Sequence, residues 1–186
     1  MRRFLVSVVL LAVAFGLAGC ATRANPALFA TNPNAAYRLG SGDRLRVIVF
    51  GQDSLSNSYA VDGSGNIFMP LIGIVPARGQ TTASLARAIE VKLRRGYLRD
   101  PRVSVEVDAY RPFFVLGEVT TPGQYPYIHG MTAETAVAVA GGFTPRAYKG
   151  GVDLTRIIDG RPLSGRVPIN EFVRPGDTIV VRERYF

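Results

Sequence analysis

Two stretches decide the fold: residues 173–186, VRPGDTIVVRERYF, and residues 37–50, YRLGSGDRLRVIVF. In each, a Gly-Asp pair (Gly42 and Asp43, Gly176 and Asp177) leads straight into an alternating apolar run. Glycine supplies backbone freedom, and a short aspartate side chain accepts hydrogen bonds from nearby backbone N–H groups, so the pair closes a turn just before a strand. After the first pair, Leu45, Val47 and Val49 alternate with Arg46, Ile48 and Phe50, the pattern of a strand buried on at least one face. Asp43 and Asp177 are also a candidate carboxylate pair. A turn calls for the same residues, and the structural role is preferred.

Between the two copies the sequence reads as α+β. Residues 61–81, VDGSGNIFMPLIGIVPARGQT, give short apolar runs parted by Gly and Pro, which suggests hairpins. Thr81 or Thr82 can cap a helix reaching about Arg95. Leu85, Ala86, Ile89 and Leu93 share one side of it, with Arg87 and Arg94 opposite, and Gly96 closes it. Next, Val103, Val105, Val107 and Ala109 alternate with Ser104, Glu106 and Asp108, following Arg102, as in a strand.

A second unit begins after Pro112. FFVLGEV (113–119) reads as a strand, Pro122 and Gly123 suit a type II turn, and YPYI (125–128) reads as a short return strand. Thr132 can cap a helix through Ala140, with Glu134 in its favourable first turn and Gly141 and Gly142 ending it. VDLTRI, RPLSGRVPI and DTIVVRER supply the remaining strands. Two compact modules in tandem is the expected organisation.

The first twenty residues belong to neither module. Arg2 and Arg3 precede an apolar core, Phe4 to Leu17, of about 14 residues, which describes a secretory signal and is too short to span a bilayer. Leu17-Ala18-Gly19-Cys20 has the form of a bacterial lipobox, and Cys20 is the chain's one cysteine, so it is the expected site of lipid attachment. Ala21 stands after it where an inner-membrane retention signal would place Asp, which favours sorting to the outer membrane. Residues 21–36 carry Pro26 and Pro33 without hydrophobic period and read as a tether, reaching roughly 50 Å when extended. Of the net charge of +8, two arginines fall in the leader. Export argues against nucleic acid as the partner of the remaining basic surface, leaving an acidic glycan, an anionic membrane or plain solvation.

Catalytic signals are sparse. His129, the single histidine, sits in a turn-like YIHGM and cannot build a zinc site with the usual ligand spacing. No Gly-x-Ser-x-Gly elbow is present, and the glycines of 140–151 miss both the P-loop and the dinucleotide fingerprints. Glu106, Asp108 and Glu118 are the carboxylates a glycosidase would draw on, but the first two share the polar face of one strand. No enzyme, metal or cofactor is expected.

Four stretches, in order, carry a family resemblance: YRLGSGDRLRVIVF, VDGSGNIFMPLIGIVPARGQT, LRDPRVSVEV, and VLGEVTTPGQYPY followed by AVAVAGGFTPRA. Together they resemble the outer-membrane polysaccharide export proteins of the Wza type: an export domain, then a β-grasp module called SLBB. The resemblance implies a signal at 1–19, a lipidated tether at 20–36, an export domain at 37–110 and an SLBB domain at 111–186 with a closing strand. It further implies a cyclic homo-oligomer that passes polysaccharide from an inner-membrane co-polymerase toward the outside. Long members add a C-terminal amphipathic helix that crosses the outer membrane. Only four residues follow Arg182, so a separate β-barrel pore is the expected neighbour, with this protein reaching the outer membrane through its lipid. A lipid-anchored glycan-binding or scaffold protein that forms no conduit is the alternative. The residues that would touch polysaccharide are not readable from the sequence.

Overall fold

The computed structural model describes residues 29, 35–158 and 160–184. Cys20, the signal and most of the tether lie outside these residues. Among these described residues, ten strands and two α-helices are grouped around two hydrophobic cores, one for each module.

In the first module, β1 (Arg44–Val49) is the centre of a three-stranded antiparallel sheet, flanked by β2 (Asn57–Ala60) and β5 (Val103–Ala109). Leu45, Val47 and Val49 are buried, and Arg44 and Arg46 are exposed, as the alternation predicts. The hairpin of β3 (Asn66–Met69) and β4 (Gly73–Pro76) forms its own two-stranded sheet. Its inner residues, Ile67, Met69 and Val75, enter the core, whereas Phe68 and Ile74 pair across the outer face in solvent.

Helix α1 (Thr82–Arg94) covers this core with Leu85, Ala86, Ile89 and Leu93. Each of the larger three, fully buried, contributes about 1.5–3 kcal/mol of apolar transfer. Thr81 is the N-cap: its hydroxyl accepts from Ser84 N–H, and the Ser84 hydroxyl accepts from Thr81 N–H. That reciprocal pair satisfies two donors that a helix start otherwise leaves open. Glu90 ties the helix to the sheet by accepting from Val103 N–H at 3.0 Å. The alternation expected for β5 is only partly kept. Val105 is buried and Val103 and Val107 half-buried, but Ala109 is exposed, because a register shift opposite Arg44 and Leu45 interrupts the pairing.

The second module is a five-stranded sheet in the order β7-β6-β10-β8-β9. Its strands are β6 (Phe113–Gly117), β7 (Gly123–Tyr125), β8 (Val152–Ile158), β9 (Arg161–Val167) and β10 (Thr178–Val181). The last strand is central: β10 runs parallel to β6 and antiparallel to β8. Helix α2 (Ala133–Val139) packs Ala133, Ala136 and Val137 into the core, and Thr132 caps it through a box with Thr135.

The turn after β6 differs from expectation. Gly123 does not take the positive φ that a type II turn needs at its third position. It is instead the first residue of β7, paired with Val115, so the return strand is Gly123–Tyr125 and YPYI lies mostly beyond it. The 3-10 turn Asp53–Leu55 and strand β2 carry no apolar alternation and were not expected from the sequence.

Candidate functional site

The two Gly-Asp turns are built alike and meet at one arginine. In the first, Asp43 N–H donates to Gly40 O, and Asp43 Oδ2 accepts from Gly40 N–H at 2.8 Å. In the second, Asp177 N–H donates to Arg174 O, and Asp177 Oδ2 accepts from Arg174 N–H at 2.7 Å. Gly42 and Gly176 both hold φ near +90° (92° and 85°), a left-handed conformation that side chains rarely adopt. Both carboxylates are buried.

Arg111, at the junction of the modules, reaches each turn. Its backbone N–H donates to Asp43 Oδ1 at 2.9 Å, and its guanidinium lies 3.4 Å from Asp43 Oδ2. A side chain added at Gly176 would collide with Arg111 Nε, so the second turn presses on the other side of the same arginine. Gly176 N–H also donates to Pro112 O. The repeated device therefore has a use beyond starting strands. The two turns flank the residues that join the modules and fix the connection from both sides.

Tyrosines extend this junction. Tyr37 donates to Asp43 Oδ2 at 2.7 Å and accepts from Arg111 at 2.9 Å. Edge-to-face contacts then run from Tyr37 to Tyr110 at 4.9 Å and from Tyr110 to Tyr127 at 5.4 Å, crossing from one module to the other. Burial raises the Tyr37 phenol far above its ordinary value; Arg111 opposes this, and the hydrogen bond to Asp43 adds to it. An open cleft of about 390 Å³ lies beside the cluster, lined by Tyr37, Thr81, Thr82, Val105, Glu106 and Tyr110 among others.

Asp177 has a second partner. Arg156 projects inward from β8 and is only 3% exposed. Its Nε and Nη2 donate to the Asp177 carboxylate at 3.0 and 2.7 Å, and Nη2 also donates to Phe172 O. Nη1 donates to Phe29 O at 2.9 Å. Phe29 belongs to the stretch expected to be a plain tether, yet its side chain is fully buried in the core of the second module. Two signals could have found this pair. Arg156 occupies an inward position of the alternation Val152, Leu154, Arg156, and a buried guanidinium requires partners. Phe29 is the one aromatic residue in its segment.

The carboxylate candidates each have a local structural setting. Asp43 and Asp177 each close a turn and face an arginine. Glu106 pairs in register with Arg46 on the first sheet, Asp108 accepts from the Ser58 hydroxyl, and Glu118 lies past β6 in the second module, accepting from the Thr144 hydroxyl. His129 is exposed in its loop. Among the described residues no group of three or more His, Cys, Asp or Glu side chains is placed to hold a metal ion. No helix among them is long and apolar enough to cross a membrane.

Two tandem α+β modules, the second with β10 in mid-sheet, make up the described chain. Residues 31–108 match the family described as polysaccharide biosynthesis/export protein, and residues 112–167 match the SLBB domain. The chain belongs to the polysaccharide export proteins of the Wza type. It is 42% identical over 118 residues to the exopolysaccharide production protein ExoF of Rhizobium meliloti, covering 57% of this chain and 28% of that one. It is 29% identical over 182 residues to the EPS I polysaccharide export outer membrane protein EpsA of Ralstonia nicotianae, covering 80% of this chain and 48% of that one. With the polysialic acid transport protein KpsD of Escherichia coli it shares 26% identity over 166 residues, covering 81% and 29%. The chain thus spans between about a quarter and a half of the length of the curated relatives it matches.

Proposed function

We propose that this protein is a lipid-anchored component of the conduit that carries capsular or exopolysaccharide across the cell envelope. The observation that carries the reading is the pair of family domains in export order, joined through Arg111 between matched turns. A conduit made of repeated subunits needs its two layers held in one relative orientation. A junction clamped from both sides meets that need. In this reading residues 37–110 form the export layer and residues 111–186 the β-grasp layer, and Cys20 carries the lipid that holds both on the periplasmic side of the outer membrane. The assembly is a cyclic homo-oligomer with head-to-tail interfaces that close. Its neighbours are an inner-membrane co-polymerase and an outer-membrane pore. Relatives named for export and transport support a role without catalysis.

Deletion of the protein should abolish secretion of polysaccharide while intracellular synthesis continues. Secretion at the parental level would reject the reading, and loss of synthesis itself would point to enzymology.

A further inference from the structure

The five-stranded sheet has an outer face on the side away from its core. Because the register is continuous, one row of side chains crosses every strand: Gln124 on β7, Phe114 on β6, Thr178 on β10, Thr155 on β8 and Ser164 on β9. The opposite face of the same strands, with Phe113, Val115, Ile179 and Leu154, is the core. None of the five row residues is ionised. Four carry a hydroxyl or amide, and the Thr155 and Ser164 hydroxyls already bond to each other at 2.7 Å.

Apolar residues flank the row. Leu116 beside Val180 lies on one side and Ile157 on the other, with Phe114, Leu116 and Ile157 exposed by 38%, 44% and 65%. Charge stands in the adjacent row, where Asp153, in register with Val180 and Arg166, is paired with both Arg166 and Arg182.

We propose that this face is a platform for an extended, largely neutral stretch of polysaccharide, a site that rests on the export reading and names where the cargo is held. Sugar hydroxyls are donors and acceptors together, as are Thr, Ser and Gln side chains, so the row offers matched partners without the desolvation cost of a bare charge. The Phe114 ring gives a flat apolar surface for the C–H face of a sugar. Strands lie about 4.8 Å apart, so the row runs roughly 19 Å, and a hexose advances a polymer by roughly 5 Å; about four sugars match the row. A protein partner would instead be met by a continuous apolar centre. Here hydroxyl, amide and charged side chains interrupt the apolar residues.

The test uses the full lipidated protein in mild detergent and a sized ladder of neutral oligosaccharides released by mild acid from the polysaccharide the source cells secrete. Calorimetric titration should show affinity rising with length up to about four sugars and then levelling. Phe114→Ala and Thr178→Val should each weaken binding of the four-sugar fragment at least tenfold, with thermal midpoint and assembled mass unchanged. Phe68→Ala, on the exposed hairpin of the first module, should bind as the parent does. Absence of binding across the ladder, or equal binding by Phe114→Ala, overturns the platform. A fall in assembled mass with Phe114→Ala overturns it as well, and makes the face a contact between copies. The export reading is judged separately. If deletion stops secretion but the Phe114→Ala, Thr178→Val double variant secretes normally, the platform fails and the reading stands; if deletion leaves secretion intact, the reading itself fails.

Discussion

Asp177 and Asp43 are alike in the backbone they close and differ in what surrounds their charge. The Arg156 side chain opposite Asp177 is 4% exposed, whereas that of Arg111 opposite Asp43 is 29% exposed. Removing one partner of a buried pair costs about 3–5 kcal/mol, so Asp177→Ala should lower unfolding stability by that amount. Asp43→Ala should cost less, since water reaches Arg111; urea midpoints of the two variants give the comparison. Tyr37 adds a pH dependence. Its phenol is raised above 10.0, the value it regains on unfolding, so the stability it contributes is fully present below about pH 10 and is lost as pH rises above it. Tyr37→Phe should flatten the fall in unfolding stability between pH 9 and about pH 11. At this scale the turn role of both aspartates was legible, because Gly-Asp before an alternating run has one local use. Their arginines were not: sequence alternation marks Arg156 as inward without saying that a carboxylate 21 residues later awaits it.

Among the elements, helix α1 came nearest to expectation. Its cap, its apolar side and its end all follow from local rules, and Thr81, Leu85, Ile89 and Leu93 sit where those rules put them. Leu93→Ala should cost about 2–5 kcal/mol, because the residue is fully buried. Arg87→Ala, on the exposed side, should stay within about 0.5 kcal/mol, and thermal melts of the two would separate them. The turn before β7 went otherwise for a physical reason. Pro122-Gly123 fits a tight turn locally, but pairing of Gly123 with Val115 draws the glycine into the sheet. Strand β2 was hidden for a related cause: its Asn57-Ser58-Tyr59-Ala60 is held by backbone pairing to β1 and buries little of its own.

For the whole molecule, the tandem order was readable because four separate stretches agreed. The clamp at Arg111 was not, since it joins residues up to 74 positions apart. Two measurements address the assembly. Cys20→Ser should abolish labelling by radioactive lipid precursor and leave the protein soluble in the periplasm or unprocessed; normal labelling would move the anchor elsewhere. Mass determination in mild detergent should find one closed multiple of the subunit, and a monomer at every concentration would count against a ring.

The seat of Phe29 has a consequence for how the molecule is made. Its carbonyl is held by an arginine 127 positions later, so a residue that precedes the first module is part of the core of the second. A chain synthesised N-terminus first leaves this ring without its core until β8 and β10 have been made, so the second module reaches full stability only once both parts are present. Shortened forms that begin after Phe29 should carry a phenyl-sized void and melt earlier, with a loss of about 3–5 kcal/mol, as Phe29→Ala should. A synthetic peptide of residues 21–36 added to such a form should raise its melting midpoint, and the same peptide with alanine in place of the phenylalanine should leave it where it was.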